Sequence, residues 1–457
     1  YFRGFMAAAV SSIPNLKVEL SNRQILNIAL PITVSMLIPQ LNMLTNSVFL
    51  GHLSTEALGN AGITAVFYLV FAVAGNGLTN ALQSVFSRYA GQDMSDFFKT
   101  IFFFFLRLAL IFAVLAVLFT WLIAPYIMQN IADARAYPIE MDFLRIRILG
   151  LPFLYVFQLC NAFMVASLNS RYLLIGFGIE AIVNIVLDYV LIFGKAGFPA
   201  MGFNGAAWAS VISEIVAMAT AILVLYFTRL KQTYNLFHNL KFDALINKEV
   251  LKVSAPLVLQ YFISLTTWLV FFLLIEKHGE MAKAISNTMR NIFGITGMFV
   301  WSFAATSNNM VSNLIGQKKQ NLVLPAVVRI MCWSLGVCIV ISVLLNIFPY
   351  TFFSLFGQGA GFVKEGIPVI RVVTLDMIFM SIAGVWLNSV TGTGKTRVNL
   401  AIEVAAIFFY IIFTWYFMHV NYVSLAVAWL NEMVYWTVVF VLAFIYMKRG
   451  AWKHTKA

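Results

Sequence analysis

Glu180, Asn184 and Asp188 recur at intervals of four residues within an otherwise apolar stretch. On a helix that spacing stacks all three on one face. A row of carboxylate and amide oxygens suits a proton or a small hard cation such as Na⁺, and it needs neither thiolate nor imidazole. Glu214, Asp376, Glu403 and Glu432 also lie in apolar runs. An ionisable side chain at the centre of a membrane helix costs about 2.5–3.5 kcal/mol, so each of these acids needs a function or a partner. Asp188 and Asp376 have no counterpart in the internal repeat described below and are the functional candidates. Glu214 and Glu432 are equivalent in that repeat and fit structural pairing with arginine. Glu180 and Glu403 fall toward helix ends, where solvation is easier. Asp188 with Asn184 is the place where Na⁺ would sit.

Other chemistries find no support. His52, His238, His278, His419 and His454 are scattered without zinc spacing. The cysteines, Cys160, Cys332 and Cys338, sit in apolar runs and read as packing residues. Gly392-Thr393-Gly394-Lys395-Thr396 looks like the end of a phosphate loop, but Ser389 stands where its first glycine belongs. The segment also follows a helix rather than a strand, so it reads as a helix–helix turn, and ATP is not the fuel. No nucleophile–base pair points to an enzyme. Trp268, Trp301 and Trp386 lie within spans, where aromatic lining of a cavity competes with packing and interfacial anchoring.

The elements that must position these residues are transmembrane helices. The chain has 457 residues, 61% of them hydrophobic and only 11% charged, with a mean hydropathy of +0.88. That is too apolar for a water-soluble fold. Stretches near 24–50, 58–79, 97–124, 141–167, 175–194, 205–228, 249–275, 284–306, 323–348, 366–391, 398–418 and 423–447 are each long enough to span a bilayer. Residues 1–5 precede Met6 and read as an expression remnant. Residues 6–23 form a cytoplasmic N-terminal segment, 229–248 a linker, and 448–457 a cytoplasmic tail. Of the 30 Lys and Arg, eighteen fall on the side of the termini and five on the other, with the rest in or beside spans. The positive-inside rule then puts both termini in the cytoplasm. The net charge of +12 is thus topological, attracting anionic lipid rather than nucleic acid.

The halves 24–228 and 249–447 repeat each other. A shift of 225 lays Pro31 over Pro256, and Ser87, Gly91 and Gln92 over Ser312, Gly316 and Gln317. Slightly different shifts match Arg145 to Arg371, Glu180 to Glu403 and Glu214 to Glu432. Six spans per copy make this the parallel kind of repeat, which in transporters places the substrate near midplane between two rocking halves. The fold class is therefore an all-α membrane protein of twelve helices in two pseudo-symmetric six-helix lobes.

Three further segments carry a family resemblance: Leu44-Thr45-Asn46-Ser47-Val48-Phe49-Leu50-Gly51-His52-Leu53, Asn184-Ile185-Val186-Leu187-Asp188, and Gly205-Ala206-Ala207-Trp208-Ala209-Ser210. With them the chain resembles the multidrug and toxic compound extrusion (MATE) family over nearly its whole length, closer to the DinF-like prokaryotic branch. The resemblance implies a cation site whose members fall on Asn46, Asn184, Asp188 and Ser210. The family's aspartate is an asparagine at position 46, so either Asp188 alone carries the proton or coupling has moved. In the NorM-like branch a seventh-span glutamate would fall on Ser264 and a tenth-span aspartate near Met380, with Asp376 one turn earlier. Trp268, Trp386 and Met380 are the candidate substrate-cavity residues.

The expected function is a monomeric inner-membrane antiporter without a cofactor. It exports amphipathic, often cationic small molecules by alternating access, against an influx of H⁺ or Na⁺. A lipid-linked oligosaccharide flippase of the same superfamily is the alternative. It would need a cationic cavity, for which Arg145, Arg147, Arg290 and Arg371 are the available bases. A non-transporting scaffold is the reading from another class.

Overall fold

A computed structural model describes residues 16–92, 97–131, 135–227, 244–276, 279–354, 359–420 and 423–454. Residues 1–15, most of the 229–248 linker with His238, and His278 lie outside them. The first half comprises α1 (Asn22–Leu53), α2 (Thr55–Gly91), α3 (Phe98–Leu122), the short α4 (Ala124–Ile131), α5 (Tyr137–Arg147), α6 (Leu151–Ala166), α7 (Leu173–Phe193) and α8 (Phe203–Phe227). A 3-10 turn, Ile148–Gly150, joins α5 to α6 as one span. The second half comprises α9 (Ala244–Glu276), α10 (Glu280–Gly316), α11 (Val323–Ile347), the short α12 (Pro349–Ser354), α13 (Gly359–Gly392), α14 (Thr396–Trp415) and α15 (Leu425–Arg449).

Lipid offers no hydrogen bonds to the backbone, so each span must satisfy its own amides, and helices do so. The breaks carry local signals. Ser21 and Ser54 accept hydrogen bonds from Gln24 N and Ala57 N, capping α1 and α2. Gly194 (φ 64°) ends α7 in the left-handed conformation. On α3, Phe105, Ala109, Ala113 and Ala116 are buried, while Leu110, Ile111, Val114, Leu115 and Leu118 are exposed. Beyond Phe105 the bundle-facing residues are small, while large aliphatic ones face lipid, as membrane packing favours.

Among the described residues, eleven helical segments are long and apolar enough to cross a membrane. The twelfth expected span is α10, which is long but too polar to pass on composition alone. The reason is its position. Thr306, Ser307, Asn308, Asn309, Ser312 and Asn313 are fully buried on it, because α10 packs against α2 and α1 of the other half.

That seam repeats itself about a pseudo-two-fold axis. Gln83 Nε2 donates to Ala305 O (2.9 Å), and the repeat-equivalent Asn308 Nδ2 donates to Asn80 O (3.0 Å). Likewise Ser84 Oγ donates to Thr391 O (3.1 Å), while Asn309 Nδ2 donates to Val165 O (2.9 Å). The two shared glycines form a close crossing. A Cβ on Gly91 would lie 2.2 Å from Asn313 O, and one on Gly316 would lie 2.2 Å from Arg88 O. Only hydrogen at both positions lets the backbones touch. These contacts gather toward the end of the bundle that carries both termini.

Candidate functional site

The first half holds Asp188 on α7, fully buried, with neither carboxylate oxygen hydrogen-bonded. The helix packs on α1 and α8. Contact with α8 is close because Gly205 sits against the Leu191 backbone, where a Cβ would approach within 2.7 Å. The Gly205-Ala206-Ala207 run thus brings the acid-bearing helix and its neighbour together. On the α1 side, Phe49 meets Tyr189 and Phe193 with ring centroids 6.2 and 6.0 Å apart. This sets the Asn46 stretch of α1 against the turn that carries Asp188. The buried Oδ1 of Asn46 also has no hydrogen-bond partner, nor has that of Asn42. Asn184 Nδ2 reaches Ser213 Oγ at 3.5 Å, and Ser213 Oγ donates to Ser210 O at 2.8 Å. Ser210 therefore contributes its carbonyl to the network, and Ser213 supplies the hydroxyl that meets Asn184.

Glu214 is treated differently. Arg147 grips it through two hydrogen bonds of 2.9 and 2.6 Å. The guanidinium lies 3.7 Å from the centre of the Tyr68 ring, whose hydroxyl donates to the same carboxylate at 3.2 Å. Gly150 makes room, since a Cβ there would fall onto Glu214 Oε2. Arg147 also acts electrostatically on Glu180 and Asp188. The sequence marked Arg147 and Glu214 as in-span charges; Tyr68 carried no signal, because its role arises only by contact.

In the second half Glu403 on α14 accepts hydrogen bonds from Ser264, Tyr435 and Gln260, the last at 3.2 Å. Ser264 thus holds a carboxylate brought in from α14, at the position where the resemblance places a seventh-span glutamate. Asp376 on α13 is fully buried, both its oxygens without a hydrogen-bond partner among the described residues, and lies within electrostatic reach of Glu432. Glu432 accepts from Tyr410 (3.3 Å), and Trp268 lies within hydrogen-bonding reach of it. Met380, one turn beyond Asp376, is packed inside the second half. Trp386 is a packing residue: its indole N–H donates to Met331 Sδ (3.2 Å), and its ring meets Phe444 at 5.0 Å. The structure brings Trp268, of the three cavity candidates, to an acid.

Three of the four bases weighed for an anionic cavity are disposed otherwise. Arg147 is committed to Glu214, Arg145 lies 3.7 Å from Asp142, and Arg371 is exposed.

The MatE family model matches this chain twice, over residues 31–190 and 256–445. The chain belongs to the MatE family. The two matches begin on Pro31 and Pro256, the residues that the internal repeat superposes. Among similar MatE proteins is one from Thermotoga maritima named "Probable multidrug resistance protein NorM", 23% identical over 84% of this chain and 82% of its own. A protein of the same name from Photorhabdus laumondii is 24% identical over 82% of this chain and 83% of its own. Among solved structures, one described as the outward-facing conformation of a multidrug resistance MATE family transporter has a TM-score of 0.87 at 16% identity, covering 96% of this chain and 98% of that one. A superfamily transporter from Pyrococcus furiosus, described as having a binding pocket of reversed polarity, scores 0.86 at 16% identity over 98% and 99%. At that identity the likeness is one of fold. The expected twelve-helix architecture is thus established, and this MatE protein is a multi-pass membrane protein rather than an enzyme.

Proposed function

We propose that this MatE protein is a secondary antiporter that expels amphipathic, often cationic small molecules and is driven by H⁺ or Na⁺ entering at Asp188. The observation that carries this reading is the contrast between two acids of the first half. Glu214 is paired with Arg147 at 2.6 Å. Asp188, equally buried, has no hydrogen-bonding partner among the described residues. A charge cannot remain in such a place without a counterion, so the carboxylate needs an exchangeable one. The unpaired oxygen of Asn46 and the amide of Asn184 would complete an oxygen set for Na⁺, and a proton on Asp188 would do the same work alone.

Coupling follows from differential affinity. A ligand shifts an equilibrium between two conformations only if it binds one of them better. Loading Asp188 from the ion-rich side changes the charge between α7, α1 and α8, and so favours one packing of these helices over the other. Substrate entering the space between the halves then competes with the ion through that shared conformational change. The working orientation places both termini in the cytoplasm of an inner membrane, with the chain acting as a monomer among anionic lipids.

The test is reconstitution in liposomes under separately imposed proton and sodium gradients, following efflux of a cationic dye. The native chain should respond to one gradient, and Asp188→Asn should lose at least about tenfold of that flux, equivalent to about 1.4 kcal/mol, while staying folded. Full gradient-driven flux in the variant would remove Asp188 from the mechanism. Gradient-independent movement of a lipid-linked oligosaccharide would instead favour the flippase.

A further inference from the structure

Just ahead of α1, residues Leu16–Ser21 run in non-helical form across the boundary between the halves. They alternate like an extended strand: Leu16 and Val18 are buried, 5% and 1% exposed, while Glu19 is exposed. Ser21 bonds locally, to Glu19 and to the first turn of α1, while Leu16, Val18 and Leu20 bond to the second half. Val18 N–H donates to Asn313 Oδ1 (3.0 Å), and Asn313 Nδ2 donates to Leu16 O (2.9 Å). Gln317 Nε2 donates to Val18 O (3.0 Å) and braces Asn313 Oδ1 (2.7 Å). Arg329 Nη1 on α11 donates to Leu20 O (3.0 Å), and Trp333 Nε1 to Asn22 Oδ1 (3.3 Å).

The amide of Asn313 therefore pairs with this segment as a neighbouring strand would, donor to carbonyl and carbonyl to N–H. Ser21 alone separates Leu20 from α1, so the segment has no slack. It is fixed covalently to the first half and by hydrogen bonds to the second. Its anchor on α10 lies in the same turn as Asn313 and Gly316, where the halves touch closely through Gly91 and Arg88. No rigid separation of the halves at this end leaves those bonds intact.

We propose that Leu16–Ser21 is a latch across the terminal-side gate: docked while that gate is shut, and detached from Asn313, Gln317 and Arg329 each time it opens. The hydrogen bonds and the burial of Leu16 and Val18 belong to the shut state alone, so the latch sets the ratio of the two states. This inference rests on the alternating-access reading above.

Ser87 supplies a reporter. It is fully buried on α2 beside the crossing, and its hydroxyl has no partner among the described residues, so Ser87→Cys removes none of the hydrogen bonds seen there. In a background with Cys160, Cys332 and Cys338 replaced, a membrane-impermeant maleimide would be added to full-length protein in nanodiscs. Asn313→Ala with Gln317→Ala should speed labelling by about tenfold, the effect of losing buried hydrogen bonds of ordinary strength. An unchanged rate in folded protein would overturn the latch. Separately, a disulfide between Val18→Cys and Gln317→Cys should reduce gradient-driven flux by at least about tenfold, the effect of an open state raised by about 1.4 kcal/mol, and reductant should restore it. Undiminished flux with the segment covalently docked would also overturn it. The labelling rate reports opening of the seam whatever ion drives it, so failure of the antiport reading would appear as absent flux without altering that result.

Discussion

At Asp188 and Glu214 the same problem, a carboxylate removed from water, is solved in two ways. Glu214 receives a fixed guanidinium, stacked on Tyr68 and hydrogen-bonded through both nitrogens. A pair this buried gains less from its own attraction than it loses when one partner is removed. Arg147→Met should therefore destabilise the protein by about 3–5 kcal/mol, read as a fall in thermal midpoint in detergent. Adding Glu214→Leu should recover most of the loss, because the uncompensated charge is then gone. If the double variant were no more stable than the single one, the arginine would be acting through something other than charge. Asp188 should behave in the opposite sense. Its conversion to Asn removes a charge that has no fixed partner, so stability should hold or rise while coupled transport fails.

At the scale of helices, close approach is the governing constraint. Gly91 and Gly316 let α2 and α10 cross with backbone atoms in contact, and Gly205 does the same for α8 on α7. In lipid there is no hydrophobic drive between helices, so packing and interhelical hydrogen bonds hold them. Gly316→Ala places a methyl group against Arg88 O, a backbone atom that cannot turn aside. A cost of about 1–3 kcal/mol is expected from overpacking, along with faster labelling of Ser87→Cys at the loosened seam. Gly178 has open space at its Cβ position. Gly178→Ala on α7 should be neutral or slightly stabilising, since alanine is the better helix former, and it serves as the control.

For the whole molecule, two copies of one six-helix plan meet along a polar seam. Repeat-equivalent residues make repeat-equivalent bonds there: Gln83 with Ala305, Asn308 with Asn80. Their chemistry has nevertheless diverged. The first half pairs Glu214 with Arg147, whereas the second sets Asp376 within reach of Glu432 and gives Glu403 a cage of hydroxyl and amide donors. Each half still keeps one fully buried carboxylate without a hydrogen-bond partner among the described residues, Asp188 in the first and Asp376 in the second. Orientation is testable at this scale as well. A green fluorescent protein fused after Ala457 should fluoresce, and alkaline phosphatase at the same place should stay inactive, if the termini face the cytoplasm as the basic residues direct. The reverse pattern would invert every assignment of inside and outside made above.

Composition and order along the chain were enough for the spans, the repeat and the Asp188 face, because each depends on local quantities: apolar length, the period of a helix, and the cost of a charge in lipid. Even α10, too polar to pass on hydropathy, was placed near 284–306, although the reason for its polarity was not legible. That reason, like the grip of Arg147 and Tyr68 on Glu214, the donation of Ser264 to Glu403, the choice of Ser213 over Ser210 beside Asn184, and the docking of Leu16–Ser21 on Asn313, lies in contacts between residues tens to hundreds of positions apart. A hydrogen bond requires two atoms to meet at about 3 Å with the right direction. Spacing within one helix fixes which face a side chain occupies, but only the packing of helices against one another decides what that face meets.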